Sequence, residues 1–259
     1  MLGKLFKYEV KATARIFLPL YFVLIVFAII NSFMSFNADD FSLPQFITLT
    51  LYIFILVGMF VASLIVMIQR FYKNLLSEEG YLMFTLPVKP YKHIISKLIV
   101  SVMWIILSSF SAIISILIIA SREITLSEIF SVLNKAWNIA YSNHGVSLYH
   151  FVIQMTVGLI VSMMTGILLI YVSISIGHLS NNHKILASIG AFIGIYTVVQ
   201  IISGLIFIGS DGHGLIFSLA QQPAIPFALI WAAIGLSAVF AAIYFIITNT
   251  ILNKRLNLE

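Results

Sequence analysis

Runs of apolar residues, each about twenty or more long, alternate with short polar segments along the whole chain. Six such runs cover roughly 16–36, 46–69, 94–120, 151–178, 185–208 and 225–252. About twenty helical residues cross the roughly 30 Å hydrocarbon layer of a bilayer, so each run is long enough to span it. Backbone polar groups have no water to bond inside lipid, and a helix satisfies them within one segment. Charge, Asn or Pro bounds every run. The pattern predicts an all-α polytopic membrane protein with six transmembrane helices in one transmembrane domain.

The polar segments carry finer patterns. From MLGKLFKYEVKATAR into the start of the first run, Leu2, Phe6, Val10 and Phe17, with Leu5 and Ala14, fall near one helical face, and the cations on the other. That spacing predicts a helix over 1–15 lying in the membrane interface before the chain turns into the bilayer. The alternative is a plain basic flank that fixes orientation. The following run is too long for a signal-peptide core and no Ala-x-Ala site follows it, so it reads as a retained span. In the 121–150 segment, Ile129, Phe130, Leu133, Ala136, Trp137 and Ala140 form a stripe opposite Ser127, Glu128, Lys135 and Asn138. An external amphipathic helix on the outer leaflet, a cap over an exit and a partner contact all fit that stripe.

Charge sets the orientation. Twelve Lys and Arg fall on one side of the six-span scheme, from Lys4 to Arg255, and only Arg122 and Lys135 fall on the other. Cations concentrate on the cytoplasmic side of membrane proteins. Both termini and the second and fourth loops are therefore expected inside. The net charge of +5 does not indicate nucleic acid, because the cations are scattered at the ends of apolar runs.

Composition closes other routes. Apolar residues make up 61% of the chain and charged residues 9%, against about a quarter charged in soluble domains; mean hydropathy is +1.09. With no cysteine, disulfides, thiolate nucleophiles and cysteine metal sites are excluded. The Gly-rich stretch 209–214 lacks the lysine and preceding strand of a phosphate-binding loop, so no ATP hydrolysis is expected from this chain alone. No Gly-x-Ser-x-Gly elbow or His-Glu-x-x-His pair occurs, and no histidine pair has helical metal-ligand spacing; His178 and His183 are five apart in a short link. Glu78-Glu79 lacks the following Arg of Glu-Glu intramembrane proteases and lies in a loop. The chain is expected not to be an enzyme and to hold no cofactor of its own.

Within the runs, small residues recur at helix-packing intervals: Ser101, Ser108 and Ser115 in the third, Gly158, Ser162 and Gly166 in the fourth, Gly190 and Gly194 in the fifth, Ala228, Ala232 and Gly235 in the sixth. Such spacing lets helix backbones approach closely in lipid. The functional alternative is a polar substrate path that includes Gln154, Thr165, Tyr171, Tyr196 and Gln200. A buried amide in lipid needs a partner, which singles out Gln154 and Gln200. No ionisable residue lies at the centre of a run, and the two halves share no motif, which counts against an ion-driven carrier.

The second loop is the richest in signals. RFYKNLLSEEGYLMFTLP, residues 70–87, is too apolar at Leu75, Leu76, Tyr81, Leu82 and Phe84 for a solvated connector, so it is expected to pack on membrane or protein. Glu78 and Glu79 suit the start of a short helix, where the dipole favours acids. The longer stretch RFYKNLLSEEGYLMFTLPVKPYKHIISKLIVS, with the N-terminal MLGKLFKYEVKATARIFLPLY, resembles permease subunits of type-two ATP-binding-cassette exporters of Gram-positive bacteria. The resemblance covers the first hundred residues well and the remainder by hydropathy and span count alone.

That resemblance implies an interfacial connecting helix at the N-terminus. It also implies a coupling helix in the second loop, around Leu75, Glu78, Glu79, Gly80, Tyr81, Leu82 and Phe84, docked on a separate ATPase subunit that binds ATP and Mg. The working unit would hold two permease subunits, identical or homologous, and two ATPases. A re-entrant helical pair would lie between the last two spans, where 209–224 has room for a short version. Export of an amphipathic or hydrophobic substrate (an antimicrobial peptide, a lipid or a drug) would follow. A secondary carrier or channel, or a membrane scaffold or sensor subunit, would share the span count without the ATPase.

Overall fold

A computed structural model describes residues 2–34, 43–76, 89–122, 124–180, 183–208 and 227–254. Seven α-helices follow one another among these residues: α1 (Leu2–Ser32), α2 (Leu43–Leu75), α3 (Pro90–Ala120), α4 (Leu126–His144), α5 (Ser147–Gly177), α6 (Lys184–Ile208) and α7 (Phe227–Lys254). All but α4 are long and apolar enough to cross a membrane. The chain is a polytopic all-α membrane protein, and its six apolar helices fall on the six apolar runs.

The N-terminus departs from expectation. No turn separates residues 1–15 from the first span, because Leu2–Ser32 is one helix. Its buried residues Glu9, Thr13, Phe17, Tyr21, Leu24, Ala28 and Asn31 recur every three or four positions, so one packed stripe runs through the expected break. Pro19 removes the N–H that would bond to the Arg15 carbonyl, yet the helix continues across it. The buried stripe on both sides of that gap continues the packing of the N-terminal segment into the span.

The chain forms two compact units, Met1–Met67 with Ile99–Gly145, and Ile68–Leu98 with Val146–Glu259. The first is built around a cluster from α1, α2 and α3 that includes Phe17, Tyr21, Leu24, Tyr52, Met59 and Trp104. Lipid tails are as apolar as these side chains, so packing and interhelical hydrogen bonds must hold the helices together. Trp104 lies flat on Phe17, with ring centroids 4.4 Å apart and 12° from parallel, and its Nε1 donates to Thr13 Oγ1 at 2.7 Å. The serine stripe of α3 meets tyrosines: Ser108 shares a 2.9 Å hydrogen bond with the Tyr21 hydroxyl, and Ser115 a 2.8 Å bond with that of Tyr52. Ser63 of α2 also reaches Ser108, at 3.3 Å. Near the other end of α1, Asn31 donates from Nδ2 to the Phe27 carbonyl at 2.8 Å and to the Thr48 carbonyl at 3.3 Å.

In the second unit α5 packs against α7 and α6. Gly158 lets α7 come close, since a Cβ there would lie 3.3 Å from the Ile234 side chain. Gly177 is tighter: a Cβ would collide with the backbone and side chain of Ser188 at the start of α6. The remaining surface of the last two helices is open. None of the apolar window of α6 is buried inside the chain, and 11% of that of α7 is. Gly190, Gly194 and Gly235 accordingly have no atom within 4 Å of a would-be Cβ, so their spacing is not used for contacts within the described chain.

Helix α4 has strong local determinants. Thr125 Oγ1 accepts from the Glu128 N–H while Glu128 Oε2 accepts from the Thr125 N–H at 2.9 Å, a reciprocal capping box. Gly145 ends the helix with φ of 56°, a conformation that costs a residue with Cβ but not glycine.

Candidate functional site: the 70–87 segment and the polar residues of α5 and α6

Of the expected coupling residues, Glu78, Glu79, Gly80, Tyr81, Leu82 and Phe84 lie outside the described residues, as does the re-entrant pair expected over 209–224. What flanks the segment is described. The last helical turns of α2 bury Phe71, Leu75 and Leu76, and the first turns of α3 bury Ile94 and Leu98. Leu75 therefore does not offer its side chain outward. The apolarity of Leu75 and Leu76, taken from sequence as a sign of an external docking surface, is consumed in packing within the chain. Phe71 stacks on Tyr171 of α5, with ring centroids 4.0 Å apart and 10° between planes.

Polar groups are also buried at these flanks. Asn74 closes α2, and His93, Ser96 and Lys97 line the start of α3, each at most 8% exposed. His93 and Lys97 are both engaged by neighbours, as a buried ammonium must be. Two residues before Asn74, Tyr72 meets the ring of His178 edge-on at 6.2 Å. Thus His178, considered from sequence with His183 as a weak metal pair, rests on an aromatic ring.

The five residues of the possible substrate path separate into three roles. Gln154 and Thr165 tie α5 to α7. The Gln154 Nε2 donates to the Phe227 carbonyl at 3.0 Å, and Thr165 Oγ1 donates to the Ser237 carbonyl at 3.1 Å as well as to Val161 of its own helix. The partner that a buried amide requires is thus a main-chain carbonyl at the start of α7. Tyr171 is buried in its stack with Phe71. Tyr196 and Gln200 stand apart, on the open surface of α6, where Gln200 Nε2 donates to the Tyr196 hydroxyl at 2.9 Å. With the Gln154 side chain 1% exposed and Tyr196 49% exposed, the five do not share one surface.

Sequence reading missed several positions that the structure makes structural hinges of the packing. Gly177, at the end of the fourth run, lies four residues after Ser173, a small-residue spacing that could have marked it. The Thr13–Trp104 bond links residues 91 apart, and nothing local advertises such a pair. The capping box was legible as Thr-x-x-Glu at 125–128.

Compared with protein families, with curated proteins and with solved structures, the chain matches none.

Proposed function

We propose that this chain is the permease subunit of an ATP-binding-cassette exporter, set in the plasma membrane with both termini in the cytoplasm. It would move an amphipathic or hydrophobic substrate outward, driven by separate ATPase subunits. The observation that carries this reading is the 70–87 segment, whose residues resemble the coupling loop of those permeases and which joins two of six spans in a chain without a phosphate-binding loop.

Two features support it. The flanks of the segment are anchored by buried side chains, with Phe71 stacked against α5, so a push on residues 77–88 would be passed to a span rather than absorbed by a loose link. The uncovered apolar surface of α6 and α7, with the hydrogen-bonded Tyr196 and Gln200 on it, suits contact with a second permease subunit around a substrate path, since polar side chains facing lipid are costly.

The test is purification of the tagged chain from its native membranes in mild detergent. An ATPase subunit recovered in stoichiometric amount, with nucleotide hydrolysis that depends on it, is the expected result. Transport by the chain reconstituted alone would overturn the reading and favour a carrier or channel.

A further inference from the structure

Helix α4 is the one long helix among the described residues that is neither a span nor packed into a core. Nearly every side chain from Leu126 to Asn143 is exposed, including Phe130 at 63% and Leu133 at 59%. At 100° per residue its apolar positions fill an arc of about 200° centred near Leu133 and Ala140, leaving a polar face through Ser131, Lys135 and Asn138. An arc so wide is not a surface built for water.

Three observations name what covers it. First, α4 is tied at both ends to spans: five residues separate it from α3, and Gly145 and Val146 alone separate it from α5. The helix is about 28 Å long, and the five-residue link reaches at most about 20 Å, so an upright helix could not return its far end to the membrane. Short links at both ends therefore hold α4 close to the ends of the two spans. Second, the two spans that precede and follow α4 in the chain carry exposed apolar side chains within ten residues of it, such as Ile116 on α3 and Ile153 on α5. Third, the helix carries one acid and one base, Glu128 and Lys135, and no block of like charge that would recruit a charged protein.

We propose that α4 is a membrane-surface helix, docked in the plane of the lipid interface on the side reached after the third span. Its apolar arc sits among the upper acyl chains, and its polar stripe faces the headgroups and water. Trp137 and Tyr141 sit where aromatic side chains favour the boundary. The proposal does not depend on the exporter reading.

The chain has no cysteine, so single labels are unambiguous. Spin labels at Phe130→Cys, Leu133→Cys, Ser131→Cys and Lys135→Cys would be read in the full chain in phosphatidylcholine–phosphatidylglycerol vesicles. Collisions with oxygen, which concentrates in lipid, are compared with those of a water-soluble nickel chelate. The log ratio should be positive at 130 and 133 and negative at 131 and 135, alternating with the turn of the helix. A negative ratio at all four would mean that α4 stands in water. Labels at 130 and 133 shielded from both reagents, or broadened by a label on a second copy, would mean that protein covers the arc. Either result overturns the proposal.

Discussion

Phe71 and Tyr171 lie ring on ring, 4.0 Å apart and nearly parallel, although a hundred residues separate them in the chain. The pair fixes the end of α2 to α5 just before the segment that the exporter reading assigns to coupling. A stacked aromatic pair contributes about 0.5–1.5 kcal/mol beyond the area it buries, and Phe71 is fully buried. Phe71→Ala should therefore cost about 3–5 kcal/mol, read as a lowered melting temperature in detergent. Phe71→Leu should cost much less. Equal melting of both variants and the native chain would show that the stack does not hold α2 to α5.

Two glycines of the same helix should respond in opposite ways. Gly177→Ala places a methyl into the backbone of Ser188, which cannot give way as a flexible side chain could. Loss of stability or of folded yield is expected. Gly166→Ala meets nothing within 4 Å and gains the helix preference of alanine, about 1 kcal/mol. It should be neutral or stabilising by the same assay. A harmless Gly177→Ala would mean that α5 and α6 do not approach as described.

The Tyr21–Ser108 bond should be worth little in energy but be specific. Interhelical hydrogen bonds in membrane proteins average about 0.6 kcal/mol. Tyr21→Phe and Ser108→Ala should each destabilise by roughly that amount, up to about 1.7 kcal/mol, and the double variant by less than their sum. Full additivity in a thermodynamic cycle would show that the two hydroxyls do not interact. Ser63, which also reaches Ser108, keeps Ser108 partnered in Tyr21→Phe and so limits that loss.

Topology is open to direct labelling. Lys73, His183 and Asn143 are exposed, and the cation pattern expects the first two inside and the third outside. Single cysteines at Lys73 and His183 should react with an impermeant maleimide from the cytoplasmic side, and one at Asn143 from outside. Asn74 is buried and would label poorly whatever its side. Reaction of all three from one side would break the six-span order.

For the coupling segment, the expected contacts are apolar. Burying Leu82 or Phe84 in an ATPase groove would contribute about 1.5–3 kcal/mol each. Leu82→Ala and Phe84→Ala should lower ATPase activity or retention of the ATPase while leaving membrane insertion intact. Glu79→Lys should weaken assembly further at a protein contact, yet help slightly if the segment only lies on anionic lipid. Three variants with native activity and native partner retention would remove this segment from the coupling role.

The sequence by itself determined the class of the protein. Twenty-residue apolar runs have one stable form in lipid, a helix, because no water is present to bond an exposed backbone; hence the six helices coincide with the six runs. It also determined α4, through a local capping box and a stripe that repeats with the helical turn. The partner of Gln154 was required by the same rule, although which carbonyl would serve was not legible. What only the tertiary structure decided is which apolar residues meet one another. Inside a bilayer, hydrophobicity does not distinguish a packed face from a lipid-facing one, so Leu75 looked like a docking residue and is core, while Gly190 and Gly194 looked like a packing motif and lie open. Residues 2–15 looked like a helix set off from the first span by a turn for the same reason. Their continuation into α1 rests on Thr13 meeting Trp104, a contact between residues 91 positions apart that no local pattern encodes.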